Sequence, residues 1–283
     1  MIHHPSYDAA AAFEASAGVG VSVRFSPALA LLAVQRADTE INSGGGEGTA
    51  PECWLDARDY QGGDGTVETP AMRAATATQP TSSKRPTFDR DGFGDGGPCF
   101  TFDGSDDVWA CGTSIELSGT ACAMYATCSA TDTGTTGEIW EYTTGATLGV
   151  NGAYIAFRVD GGDYHPFVVV GGAADYAGSY LAGDYEGVEG CLSSVVDRNE
   201  STELAQCGGK WNGVAFDVEN GTDPIAGGNF AAGQSSWIGA RNNGSALPFG
   251  GSLRELVIFD TSHTAAQRLA VETALLCKSR LGQ

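Results

Sequence analysis

Clusters of Gly, Asn, Asp, Ser and Pro interrupt this chain about every ten residues, and that spacing limits what can fold between them. Short strands closed by tight turns fit the gaps; long buried helices do not. Glycine accounts for 41 of 283 residues, about twice its usual share of roughly 7%. Hydrophobic residues at 42% and aromatics at 9% still supply a core, so the glycine belongs to turns rather than to disorder. About a dozen strand candidates with regular turn signals predict an all-β, two-sheet antiparallel jelly-roll sandwich.

Val108–Cys111 and Ala121–Cys128 are short strand candidates, and Glu138–Tyr142 mixes charged with apolar residues as a half-exposed strand does. Ala153–Val159 and His165–Val170 pair around Asp160-Gly161-Gly162-Asp163, while Leu192–Val196 and Glu203–Gln206 read as a second hairpin. Trp237–Asp260 reads as two strands joined by an Asn-, Gly- and Pro-rich loop. In its second half Arg254 and Glu255 break the alternation of Leu253, Leu256, Ile258 and Phe259. A helix is expected over Thr264–Leu281, with Leu269, Thr273 and Leu276 at helical spacing beside Val271 and Leu275. Thr261 or Ser262 offers an N-cap, and Lys278 and Arg280 complement the dipole in the last turn.

The order of strand, Gly-rich loop, Glu255 and Phe259-Asp260 before a short helix resembles the end of laminin-G-like domains, a branch of the concanavalin-A-like lectin/glucanase folds. Cys53-Trp54-Leu55-Asp56-Ala57-Arg58-Asp59 is similar to their first strand. Gln79-Pro80-Thr81, Phe88 and Phe102-Asp103-Gly104-Ser105-Asp106-Asp107 follow in that family's order, and Trp211-Asn212-Gly213-Val214 looks like its turn after a strand. The resemblance covers roughly 53–281 and implies a sandwich at 53–283 closed by a short helix. The composition of 1–52, a short apolar segment followed by Ser43–Thr49, reads instead as an arm that packs on the domain's flank or docks on another protein, with a Gly-rich linker. The resemblance also implies calcium at Asp103, Asp106 and Asp107, against the plainer expectation of solvated turn caps and no cofactor.

The net charge is −20, with only fifteen basic residues scattered along the chain. That balance disfavours nucleic acid and anionic membrane surfaces as partners, and no stretch reaches the ~18 consecutive apolar residues of a membrane span. Eight dispersed cysteines without a C-x-x-C pair suggest disulfides rather than zinc. Cys191 and Cys207 flank a hairpin candidate and are the first pairing to expect; the other connectivities stay open. No secretory signal is read at Met1-Ile2-His3-His4, and the first apolar run, Phe25–Val34, contains Pro27.

No catalytic constellation stands out. Glucanase chemistry needs paired carboxylates on one strand face about 5–9.5 Å apart. Glu138 and Glu141 are three residues apart and face opposite sides of a regular strand, while Asp184 and Glu186 fall in a Gly-rich loop. His165 and His263 lack partners for a nucleophilic triad. For sugar contact the candidates are Trp140, Tyr142, Trp237, Arg241 and Asn242, with burial in the core as the competing expectation for both tryptophans. The resulting expectation is a non-enzymatic structural protein of a virus particle, a tailed phage above all. It would be a capsid decoration or tail protein, exposed at the virion surface after lysis and held to other virion proteins by 1–52. The alternatives are a glycan-binding adhesion module and, behind it, a glucanase-like hydrolase; the oligomeric state, a homo-oligomer included, stays open.

Overall fold

The computed structural model describes residues 37–45, 50–143, 152–172, 175–221, 224–242 and 244–281. The apolar run at 25–34 and the rest of the arm ahead of residue 37 lie outside the described residues. Seventeen strands among those described form two antiparallel sheets. In the larger sheet, β7 (Ala121–Ala130) and β17 (Gly250–Phe259) lie side by side at the centre, with β12 (Glu189–Asp197) beyond β7. The opposite edge of β17 is shared end to end, by β5 (Cys99–Asp103) along Gly250–Leu253 and by β1 (Cys53–Asp56) along Glu255–Ile258. The seven-stranded sheet carries β8 (Gly137–Thr143), β9 (Ala153–Asp160), β10 (Asp163–Gly171) and β11 (Tyr176–Tyr180) in chain order. It continues on the other side of β8 through β16 (Ser235–Ile238) to β6 (Trp109–Gly112).

The core between the sheets is built by alternation. Met124, Ala126 and Cys128 of β7 meet Ile155 and Phe157 of β9 and Trp109 of β6 in one continuous cluster. Where alternation fails in β17, a bulge explains it. Leu253 pairs with Cys128 and Glu255 with Thr127, so Arg254 is the extra residue. The bulge shifts the parity: Leu253, Leu256 and Ile258 all reach the inner core, while Val257 and Phe259 face outward. Arg254 leaves the ladder to hold Asp95 and stacks 4.1 Å over Phe93.

A third layer covers that outward face. The closing helix, Ala265–Leu281, lays Val271, Ala274 and Leu275 on Trp54, Tyr125, Val257 and Phe259. Of the expected stripe, Val271 and Leu275 are buried, whereas Leu269 is 59% exposed. The N-cap is Thr264 rather than Thr261 or Ser262. Thr264 Oγ1 accepts the Gln267 N–H at 3.3 Å and Gln267 Oε1 accepts the Thr264 N–H at 2.7 Å, a capping box. Lys278 does more than complement a dipole: its Nζ lies 2.8 Å from Asp56 and 2.7 Å from Asp38, and it also pairs with Glu255.

Residues 37–42 form a short helix whose Ala37 and Ile41 join the same outer cluster. Gly44 and Gly45 end it in a Schellman arrangement, with Gly45 N–H donating to Glu40 at 2.9 Å and Gly44 N–H to Ile41 at 3.1 Å. A Cβ on Gly45 would stand 2.6 Å from the Gln267 Cα, so this glycine is a packed contact with the closing helix and not linker. Contacts with the closing-helix layer therefore extend back to Ala37.

The hairpin turned by Gly161 and Gly162 is present, both at positive φ, and Asn212-Gly213 turns a second hairpin in the same way. Glu203–Gln206 is a single helical turn rather than a strand, capped by Thr202 whose side chain accepts the Ala205 N–H. The partner of β12 is instead β13 (Cys207–Trp211).

None of the eight cysteines is bridged. The expected Cys191–Cys207 disulfide is excluded by register. Cys207 pairs with Val196, at the far end of the hairpin from Cys191, and the two thiols point to opposite faces of the sheet. Five residues of strand separate them by roughly 16 Å, against the 4.4–6.8 Å between Cα atoms that a disulfide spans. Among the described residues no helix is long and apolar enough to cross a membrane.

Candidate functional site

The exposed side of the seven-stranded sheet is where the sequence candidates separate. Trp140 and Tyr142 point inward and are fully buried in the core, stacked with ring centroids 6.4 Å apart. The Tyr142 hydroxyl donates to the Ala231 carbonyl at 3.0 Å. Neither ring is available to a ligand. Trp237 alternates with the core residue Ile238 and stands half-buried on the outer side of β16. Arg241 and Asn242 follow directly, in a tight loop where the Arg241 N–H donates to the Ala246 carbonyl at 2.9 Å and Asn242 takes φ +49°.

The strand β8 corrects the expectation about its acids. Glu138 pairs with Ala156 and Trp140 with Ile155, so Ile139 is the extra residue of a bulge. Ile139 and Trp140 both turn inward, and Glu138 and Glu141 both turn outward. The bulge unites two side chains that a regular strand would separate. Arg241 grips them together: its Nη2 lies 2.6 Å from Glu138 Oε1 and its Nε 2.9 Å from Glu141 Oε1. Both glutamates are 0% exposed and Arg241 only 6%. Burial, and then the charge of Glu141, push the Glu138 carboxyl well above the usual carboxylate range. Burial also raises Glu141, against the hydrogen bond from Glu138 and the pull of Arg241.

Cross-strand register continues this face. Trp237 stands opposite Glu141, Glu141 opposite Tyr154, and Tyr154 opposite Val169. In the next row Glu138, Ala156, Phe167 and Tyr180 follow one another. Tyr154, Ala156, Phe167 and Val169 form a separate apolar cluster with Tyr176 and Tyr180 against it. The Arg241 guanidinium lies 5.4 Å over the Tyr154 ring, and that of Arg158 lies 5.5 Å over Tyr180. His165 lies tilted against Tyr180 with centroids 4.9 Å apart, which gives it a packing role. Sequence reading passed over Tyr154, Phe167, Tyr176, Tyr180 and Arg158. The two-glycine turn at 161–162 carried the signal for part of them, because it sets the register that places Tyr154 and Phe167 on one face.

Elsewhere, Asp103, Asp106 and Asp107 come together, with one carboxylate oxygen from each within 4.8 Å of the others. Asp107 accepts the Asp103 N–H at 2.9 Å and Asp103 accepts the Ser105 N–H at 2.8 Å, so turn capping already employs two of the three. Asp184 caps its own loop by accepting the Glu186 N–H at 3.1 Å, as the surrounding glycines suggested. A concavity of about 280 Å³ is lined by Arg58, Tyr60, Phe88 and Arg90, but Arg58 is engaged by Asp56 and Glu255.

No family model matches the chain, and no curated protein matches it. Solved structures do. Trypanosoma rangeli sialidase, in complex with 2,3-difluoro-KDN, aligns with a TM-score of 0.52 at 13% identity, over 90% of this chain and 39% of that one. This chain has a two-sheet antiparallel β-sandwich fold. A SAP-like heptameric pentraxin from Limulus polyphemus aligns at TM-score 0.46 and 14% identity, over 62% of this chain and 80% of that one. The Ruminococcus gnavus IT-sialidase CBM40 bound to α2,3-sialyllactose aligns at 0.45 and 10%, over 62% and 96%. At such identities the likeness concerns the fold alone, and this chain spans well under half of the trypanosomal sialidase.

Proposed function

We propose that this protein is a non-enzymatic glycan-binding module. The observation that carries the reading is Trp237. It stands part-exposed on the outer sheet face, as Tyr176 and Tyr180 do, next to the Arg241-Asn242 loop and in one row with Glu141 and Tyr154. A part-exposed indole beside the Asn242 loop suits stacking on a pyranose with polar contacts at its rim. The same geometry argues against hydrolysis. The acid pair that β8 assembles is buried and tied to one guanidinium, so neither carboxyl can reach a glycosidic oxygen. Binding of the full chain to an array of neutral and acidic polysaccharides, repeated with Trp237→Ala, tests this. Binding that falls at least tenfold in the variant is expected; a silent array, or binding indifferent to Trp237, sinks it.

Display on a virus particle is the setting we favour, and one feature of the fold supports it. Residues 37–45 pack on the closing-helix side, opposite the Trp237 face. An N-terminal segment docked on other virion proteins would then present that face outward. The eight unbridged thiols take away the argument from an oxidising medium, and the laminin-G-like resemblance remains a likeness of motifs. Removal of residues 1–36, which spares the packed helix, is expected to abolish incorporation into particles while leaving glycan binding intact. Normal incorporation of the shortened chain would end the virion reading.

A further inference from the structure

Glu138, Glu141 and Arg241 form a cluster in which two acids meet one base out of contact with water. Fully ionised, it would hold one uncompensated negative charge in a buried place, which is strongly disfavoured. Each glutamate gives its Oε1 to Arg241, while Glu138 Oε2 and Glu141 Oε2 are buried without a donor. Because both Oε1 atoms sit on one guanidinium, at 2.6 and 2.9 Å, the two carboxyl groups are held side by side. The titratable groups that bear on the cluster from the packed elements are Arg241 from the loop, Tyr154 from β9 and, beyond it, Tyr176 from β11; β16 contributes the uncharged Trp237. None of these donates to the two unpartnered oxygens.

We propose that Glu138 and Glu141 share one proton between their Oε2 atoms, and that this proton locks the loop after β16 onto β8, making ligand capture by the Trp237 face dependent on pH. The mechanical link is short. Arg241 begins the loop, the Glu138 N–H donates to Leu247 at 3.0 Å within it, and the Gly239 N–H donates to Ile139, the bulged residue, at 2.9 Å. Loss of the proton leaves two carboxylates repelling each other across one guanidinium, and the loop carrying Asn242 loosens. The sign follows from linkage. The folded protein keeps a proton that an unfolded glutamate releases near its ordinary value. Stability from this site is therefore full at low pH and lost as pH rises through the folded titration. The binding arm of this inference rests on the glycan reading; the proton itself does not.

Glu138→Gln supplies a permanent N–H donor where the proton sits, and so separates the site from the rest of the chain. Infrared difference spectra of the full chain at neutral pH should show a protonated carboxyl band in the wild type that Glu138→Gln lacks. Thermal midpoints should fall more steeply from about pH 5 to about pH 9 in the wild type than in the variant. The double variant with Glu141→Gln leaves Arg241 without a counter-charge and should be less stable throughout, which shows that the cluster is buried as described. Wild-type affinity for any glycan found on the array should weaken at least threefold over the same rise, and that of Glu138→Gln should not. Absence of the band together with parallel melting curves overturns the shared proton. Equal wild-type affinity at both extremes overturns the coupling. The band without glycan binding at either pH supports the shared proton and removes the glycan reading alone.

Discussion

His263 lies under Phe259, ring centroids 4.4 Å apart, with Nδ1 2.7 Å from the Tyr125 hydroxyl. Burial lowers its pKa from 6.5 to about 4. A histidine depressed in this way is neutral when folded and takes a proton more readily when unfolded. Its contribution is present above about pH 6.5 and lost as pH falls to about 4, a difference of roughly 3 kcal/mol. Chemical denaturation across that window should show the loss, and His263→Asn, which keeps an acceptor near Nδ1, should flatten it. Asp107 works in the opposite sense. Burial first, then Asp103 and Asp106, raise it from 3.8 to about 6. The folded state holds the proton longer than the unfolded one, so stability from this group is full below about pH 4 and lost by about pH 6. Asp107→Asn should therefore stabilise the protein at neutral pH by about 1–2 kcal/mol. The variant also tests calcium: an ion held by the three aspartates raises the wild-type melting point and leaves Asp107→Asn unmoved, whereas solvated turn caps move neither.

At the scale of elements, two bulges and one helix contact determine which residues meet. The bulge at Ile139 unites Glu138 with Glu141, and the bulge at Arg254 brings Leu253 into the core with Leu256. The break in the alternation of β17 was legible in the sequence at Arg254-Glu255. That of β8 was not, since three-residue spacing there looks like an ordinary strand with acids on opposite faces. The closing helix depends on one buried cation: Lys278 meets Asp56, Glu255 and Asp38 and lies 4.7 Å over Trp54. Lys278→Met leaves those acids to Arg58 and Arg73 and should cost roughly 3–5 kcal/mol in a denaturant melt, as removal of one partner from a buried ion cluster does. Gly45→Ala should cost about 1–3 kcal/mol by pushing the short helix off Gln267, where the backbone cannot yield. A chain in which Gly45→Ala is silent would return 43–45 to the role of linker.

For the molecule as a whole, three layers set the direction of any interaction. The helices cover one side of the ten-stranded sheet, the core fills the space between sheets, and the Trp237 face lies on the far side. The buried cysteines follow the same plan. Burial raises Cys111 and Cys207 to about 12, so these thiols are weak nucleophiles as well as shielded ones. Titration with a thiol reagent should find all eight after unfolding without reductant and few of them in the native protein. Recovery of fewer than eight in the unfolded chain would reinstate a disulfide.

Local sequence specifies the turns of the sandwich and its closing helix, because those depend on neighbours in the chain. Gly161-Gly162 and Asn212-Gly213 reverse the strand through positive φ, whereas the helix cap, expected at Thr261 or Ser262, falls at Thr264. Tertiary structure alone decided the site and the fate of the cysteines. Whether Trp140 or Trp237 faces outward, whether Glu138 meets Glu141, and whether Cys191 reaches Cys207 all depend on strand register and on bulges, where one inserted residue turns every later side chain to the other face.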